Sequence, residues 1–215
     1  LKKVLAGLAV LATALGFGLL APSASADPTT DLSLATSNHC SFSTVVAEVK
    51  NVAATNYVVR VDVTSNSILY QRVATATSGS TIKISLPGIS GSYTAKLYYK
   101  SGADFLEVPG AVVTGQNICQ IEAKATCSGQ RVSLEFKNTG TARASMYTRM
   151  LLPLPQQGSY TELLPGEGKT RLVAVTLDQP YAITVSPVNG TRAENIFYFS
   201  GTCSVAAPTS TVSAS

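Results

Sequence analysis

The chain carries one histidine, His39, and a cysteine, Cys40, follows it. Nucleophilic catalysis of the Ser–His–Asp or Cys–His kind needs a base that the fold holds against its nucleophile. When the chain is laid over itself, Thr126 takes the place of His39, so this histidine reads as a solvent-facing turn residue. Two glutamates, Glu48 and Glu135, do recur in that overlay. Glycoside hydrolysis uses two carboxylates at a set separation. Each glutamate, however, stands two residues from a lysine, Lys50 or Lys137, and an ion pair on a strand surface accounts for both. Metal chemistry finds little support. Zinc sites gather Cys and His at short spacing, and no Cys-x-x-Cys occurs. Calcium needs a loop rich in Asp and Asn, whereas the acids here are scattered. The residues predict no catalytic, cofactor or metal site.

Binding is harder to dismiss. Tryptophan is absent, and the aromatic clusters are Tyr98-Tyr99 and Phe197-Tyr198-Phe199. Neighbours on a strand point to opposite faces, so one member of each cluster belongs outside. Tyr98 and Tyr198 are therefore candidate ligand contacts, against the plainer reading that they pack across strands. Arg143 and Arg149 share the outward parity of one strand with Ser145 and Tyr147. They suit an anionic wall polymer, or simply a solvated face. Asn189-Gly190-Thr191 fits the glycosylation pattern, which matters only in a eukaryotic secretory pathway.

The elements that would carry these residues are strands. Val132, Leu134 and Phe136 alternate with Ser133, Glu135 and Lys137. Val59, Val61 and Val63 alternate with Arg60, Asp62 and Thr64, and Ile82, Ile84 and Leu86 with Lys83 and Ser85. A period of two makes one face apolar and the other wet, the mark of half-buried strands in a two-layer sandwich. Turn residues separate the runs: Asn138-Thr139-Gly140, Ser78-Gly79, Pro87-Gly88 and Pro165-Gly166-Glu167-Gly168. No mature segment of ten or more residues has a helical period.

The pattern occurs twice. Shifted by 87 positions, the run Cys40–Asn51 lies over Cys127–Asn138 without a gap, and Cys, Ser, Val, Glu, Lys and Asn coincide. In the same register Tyr57, Val59, Val61 and Val63 fall on Ala144, Met146, Thr148 and Met150. Tyr93 meets Tyr181 at an offset of 88, and Cys119 corresponds to Cys203. An internal duplication accounts for this, giving modules at 27–118 and 119–203 with six or seven strands each. Four cysteines allow three pairings. Independent closure of each module selects Cys40–Cys119 and Cys127–Cys203; the rival joins Cys119 to Cys127 and Cys40 to Cys203. Bridges closing loops of that size stabilise by about 4–5 kcal/mol in the chain-entropy model.

The first residues describe export. Lys2-Lys3, an apolar run from Val4 to Leu20 and Ala24-Ser25-Ala26 form a secretory leader cleaved before Asp27. The alternative is an uncleaved anchor, which Gly7, Gly16 and Gly18 weaken. Losing the two lysines lowers the formal charge from +4 to +2. So weak a charge, without a basic run, predicts no nucleic-acid partner. Residues 204–215, a Ser/Thr/Pro tail, are expected to be disordered. With no sorting signal or apolar tail after Cys203, the expectation is release or non-covalent retention, with no membrane span after cleavage.

The run Cys127-Ser128-Gly129-Gln130-Arg131-Val132-Ser133-Leu134-Glu135-Phe136-Lys137-Asn138-Thr139-Gly140 resembles the opening of immunoglobulin-like modules in bacterial, especially actinobacterial, surface proteins. The close at Gly201-Thr202-Cys203, followed by Pro208-Thr209-Ser210-Thr211, is similar to their Ser/Thr/Pro linkers. The resemblance implies immunoglobulin-like or fibronectin-like sandwiches in a cell-surface setting, and no activity. Unlike antibody domains, the chain has its cysteines near the module ends. Their bridges are expected to tie an early turn to the last strand. Tyr93 and Tyr181 suit a tyrosine-corner position or plain core packing. The expected protein is all-β and extracellular. It has a structural or interaction role, its partner is an unidentified surface protein, and the alternative is binding of a carbohydrate or anionic wall polymer.

Overall fold

Period-two runs become strands wherever apolar side chains find a second sheet to face. The computed structural model describes residues 27–153, 158–188 and 196–204. The expected leader, Asn189-Gly190-Thr191 and the tail beyond Ser204 lie outside these residues.

After a helical turn at Pro28–Asp31, seven strands build the first module. They are β1 (Leu32–His39), β2 (Thr44–Asn51), β3 (Tyr57–Ser65), β4 (Ile68–Ala76), β5 (Thr81–Leu86), β6 (Gly91–Ser101) and β7 (Asp104–Asn117). Seven more build the second: β8 (Ile121–Ser128), β9 (Arg131–Asn138), β10 (Ala144–Leu152), β11 (Ser159–Leu163), β12 (Gly168–Ala174), β13 (Pro180–Pro187) and β14 (Phe197–Thr202). In each module a three-stranded sheet, β1-β2-β5 or β8-β9-β12, faces a four-stranded one, β4-β3-β6-β7 or β11-β10-β13-β14. Every ladder is antiparallel. This is the immunoglobulin-like sandwich with its fourth strand paired to the third, where an antibody constant domain adds it to the opposite sheet.

Each module has its own core. Val45, Val49, Val59, Val61, Val63, Leu86 and Leu97 are buried in the first. Val132, Leu134, Phe136, Met146, Ile183 and Phe199 are buried in the second. The duplication extends to a buried polar device. Asn51 Nδ2 donates to the carbonyls of Thr55 (2.8 Å) and Ala76 (2.9 Å), and its Oδ1 accepts from Ala53 N–H (3.0 Å). Asn138, 87 residues on, does the same with Ala142 (2.8 Å), Leu163 (3.3 Å) and Gly140 N–H (3.0 Å). One side chain thereby ties the turn after the second strand to the end of the fourth, so no buried group there is left without a partner.

The disulfides are Cys40–Cys119 and Cys127–Cys203, as independent closure predicts, and all four cysteines are bridged. The two bridges are not placed alike. In the second module Cys127 is still in the ladder, opposite Val132, and a two-residue turn at Gly129-Gln130 closes the hairpin. In the first module the ladder ends at His39 opposite Thr44, and Cys40 enters a four-residue turn in which Phe42 takes a positive φ of 52°. Asn38, opposite Val45, therefore occupies the ladder position of Cys127. The last strands show the same offset. Tyr93 pairs with Gly115 and Tyr181 with Gly201, which puts Asn117 where Cys203 stands. The first bridge lies two residues further along both strands, toward the second module.

That displacement makes a joint. Cys40 packs within the core cluster of the second module, and Cys119 packs against it. Backbone pairing crosses the boundary: Cys40 N–H donates to Arg143 O and Arg143 N–H to Asn38 O, both at 2.8 Å, in a parallel bridge between His39 and Arg143. The connector 118–120 is clasped by the turn that Asn138 holds. Thr141 and Ala142 N–H donate to Ile118 O (2.9 and 3.0 Å), and Thr139 and Gly140 N–H donate to Gln120 O (2.9 and 3.1 Å).

Candidate functional site

The acid–base candidates lie on separate elements. His39 closes β1 at the joint, and its pKa is held below 6.5, chiefly by burial and then by the cations Arg143 and Lys83. Glu48 pairs with Lys83 (3.1 Å) and Glu135 with Lys124 (2.8 Å). These lysines lie directly across the ladder and replace the same-strand Lys50 and Lys137 named by the sequence reading. Opposed residues sit about 4.5–5.5 Å apart at Cβ, whereas two strand positions span about 6.8 Å, so the cross-strand partner is nearer. Among the described residues no group of three His, Cys, Asp or Glu side chains is placed to hold a metal ion.

Among the described residues Tyr93 and Tyr181 make no corner bond to the preceding loop. Tyr93 Oη bonds Thr36 Oγ1 and Asn38 Oδ1, both at 2.9 Å, and Tyr181 Oη lies 3.8 Å from Cys127 Sγ. Each ring lies over the glycine opposite. A Cβ on Gly115 would fall 2.5 Å from Tyr93 Oη. Burial pushes the Tyr181 phenol above its usual pKa.

The four ligand-contact candidates separate into covered and open groups. Tyr98 is on the outer face of the first four-stranded sheet, opposite Arg60. The Arg60 guanidinium lies over it, 4.5 Å from the ring centroid, and 4.9 Å from that of Phe105. Arg60 is in turn paired with Asp62 at 2.9 Å, and Lys96 with Glu107 at 3.1 Å. Arg143 stands at the joint, where its guanidinium pairs with Glu162. Arg149 and Tyr198 remain open. Both are exposed, and they flank Thr184 across the second four-stranded sheet.

Beside them are two residues that the sequence reading did not single out as contacts. Tyr147 and Tyr160 face each other across β10 and β11, with ring centroids 5.0 Å apart and planes tilted by 43°. Gly158 backs the Tyr147 ring so closely that a Cβ there would lie 2.3 Å from Cζ. The alternation Tyr160-Thr161-Glu162-Leu163 carried the signal. The strand that holds it, Ser159–Leu163, is only five residues long, too short to stand out.

No protein-family model matches the chain, and no curated protein matches it. Solved structures do match. A segment of two fibronectin type-III domains from chicken tenascin is similar over 80% of this chain and 95% of its own, with 13% identity and a TM-score of 0.30. The chicken interferon gamma receptor alpha chain is similar over 81% and 98%, with 8% identity and a TM-score of 0.30. Salmonella alpha-2-macroglobulin covers 82% of this chain but 16% of itself, with 12% identity and a TM-score of 0.33. Scores this low carry no argument, and the fold assignment rests on strand order and register.

Proposed function

We propose that the chain works outside the cell as a non-catalytic interaction protein whose two modules act as one stiff unit. The joint carries this reading. A flexible tether would need neither backbone pairing between Asn38, Cys40 and Arg143 nor a first-module cysteine inside the second core. Two bridges and no free thiol suit an oxidising compartment. Among the described residues no helix is long and apolar enough to cross a membrane. The bacterial surface setting that the resemblance implies belongs to the same proposal, as does the division into modules at 27–118 and 119–203.

A second reading, carbohydrate binding, draws on one feature. Thr64, Thr94 and Thr114 stand side by side across β3, β6 and β7. With Asn38, Gln116 and Thr141 they line a shallow depression without a charged side chain, which suits a neutral polyhydroxyl ligand. Sedimentation of the purified chain with insoluble cell wall, chitin and cellulose at several salt concentrations separates the readings. Binding that salt leaves intact and Thr94→Val removes would favour carbohydrate. Any activity should survive single replacement of His39, Glu48 or Glu135. A hydrolytic turnover abolished by one of these changes would overturn the non-catalytic reading.

A further inference from the structure

Because the repeat sets the two modules in register, each outward position of the second four-stranded sheet has a counterpart in the first. Tyr147 corresponds to Arg60, Arg149 to Asp62, Tyr160 to Val73, Thr184 to Lys96 and Tyr198 to Val112. The charges of the first face are matched, since Arg60–Asp62 and Lys96–Glu107 neutralise one another and Arg60 covers both nearby rings, and its exposed apolar groups include the small Val73 and Val112. Its counterpart exposes tyrosine rings in their place. Tyr160 is 67% exposed, Tyr198 60% and Leu152 46%. Among the described residues no carboxylate lies within ion-pair distance of Arg149.

We infer that this face docks a folded protein whose surface offers a carboxylate amid apolar groups. The inference rests on the interaction reading above and names its surface and partner. Tyrosine, leucine and arginine surrounded by Ser and Thr, with Glu162 only at the edge, is the composition of a contact core. Tyrosine brings large area at small entropic cost, and Tyr147 is already fixed between Tyr160 and the Gly158 backbone. Charge selects the partner. An arginine desolvated without an anion would oppose binding, so Arg149 needs a carboxylate opposite it. An anionic polymer fits less well. Among the described residues Arg143 and Lys169, the other cations nearby, are engaged with Glu162 and Glu167, leaving one charge where a polyanion would need several. Sugar stacking also fits less well, because rings tilted by 43° offer no flat platform.

The test places a photoreactive phenylalanine analogue at position 198, and separately at 112, in the full chain as its own cells export it. A protein adduct at 198 and none at 112 is expected. With that protein purified, Tyr198→Ala and Arg149→Gln should each weaken binding at least about tenfold, the scale of an interface anchor. Arg149→Lys should recover part of the loss, and Val112→Ala should change little. Circular dichroism of each variant, with Tyr160→Ala as an independent probe of the same face, separates lost contact from lost fold. An adduct with glycan, an adduct with a second copy of the chain, no adduct, or an affinity indifferent to Arg149 and Tyr198 would overturn the proposal. Binding of a protein at position 112 or in the threonine-lined depression would overturn it while leaving the interaction reading intact.

Discussion

Asn38 stands against Tyr93 where Cys127 stands against Tyr181. Tyr93 Oη donates to Asn38 Oδ1 at 2.9 Å, and Cys127 Sγ lies 3.8 Å from Tyr181 Oη. The cysteine that matches Cys127 in sequence, Cys40, has moved past the end of its ladder to Arg143 and the second core. The bridge that closes the first module thus also fastens it to the next.

The paired asparagines should respond differently to loss. Asn138 holds two buried carbonyls and one N–H, Asn51 one buried carbonyl, one part-buried and one N–H, and a buried group left without a partner costs about 1–3 kcal/mol. Asn51→Ala and Asn138→Ala should both lower stability in urea titration. Only Asn138→Ala should also loosen the joint, because the turn it holds clasps Ile118 and Gln120. Equal loosening by Asn51→Ala would contradict this.

Gly140 and Ala53 are equivalent positions with different demands. A Cβ on Gly140 would fall 2.3 Å from Ile118 O and 2.7 Å from Gln120 N, both backbone atoms. Gly140→Ala should therefore displace the connector and cost well over the ~1 kcal/mol of an average point substitution. A thermal midpoint within a degree of wild type would show that the connector can move aside.

His39 makes stability depend on mild acid. Burial, Arg143 and Lys83 hold its pKa below 6.5, while Glu162 and Glu48 oppose them. Below that value the unfolded chain binds the proton more readily than the folded one. Its contribution is therefore complete above pH 6.5 and is lost as pH falls through the depressed folded value. The urea midpoint should drop over that interval, and His39→Gln should flatten the drop. An unchanged profile in the variant would assign the acid sensitivity to other groups.

Most of the sandwich was legible because alternation is local. Val59, Val61 and Val63 are fully buried, as are Val132 and Leu134. The 87-residue offset carries β2 onto β9 and β3 onto β10 end to end. The joint was not legible, and the reason is physical. Slipping a strand by one residue reverses its faces, but slipping it by two leaves every side chain on its original face. Cys40 and Cys127 thus align without a gap while their ladders differ by two positions. Arg60 over Tyr98 was equally hidden, since the sequence does not show which strands lie side by side. Of the ligand candidates, Arg149 and Tyr198 came together on one face only because β13 separates β10 from β14.

Amide hydrogen exchange, read by NMR residue by residue, tests the welded joint most directly. The amides of Cys40, Thr141, Ala142 and Arg143 donate across the boundary, so they should exchange nearly as slowly as core amides such as Leu134. Replacing Cys40 and Cys119 together with serine should speed those four while leaving Val61 slow. If they exchange in wild type as fast as the turn at Gly129, the modules hang on a flexible linker and the account of a single stiff unit is wrong.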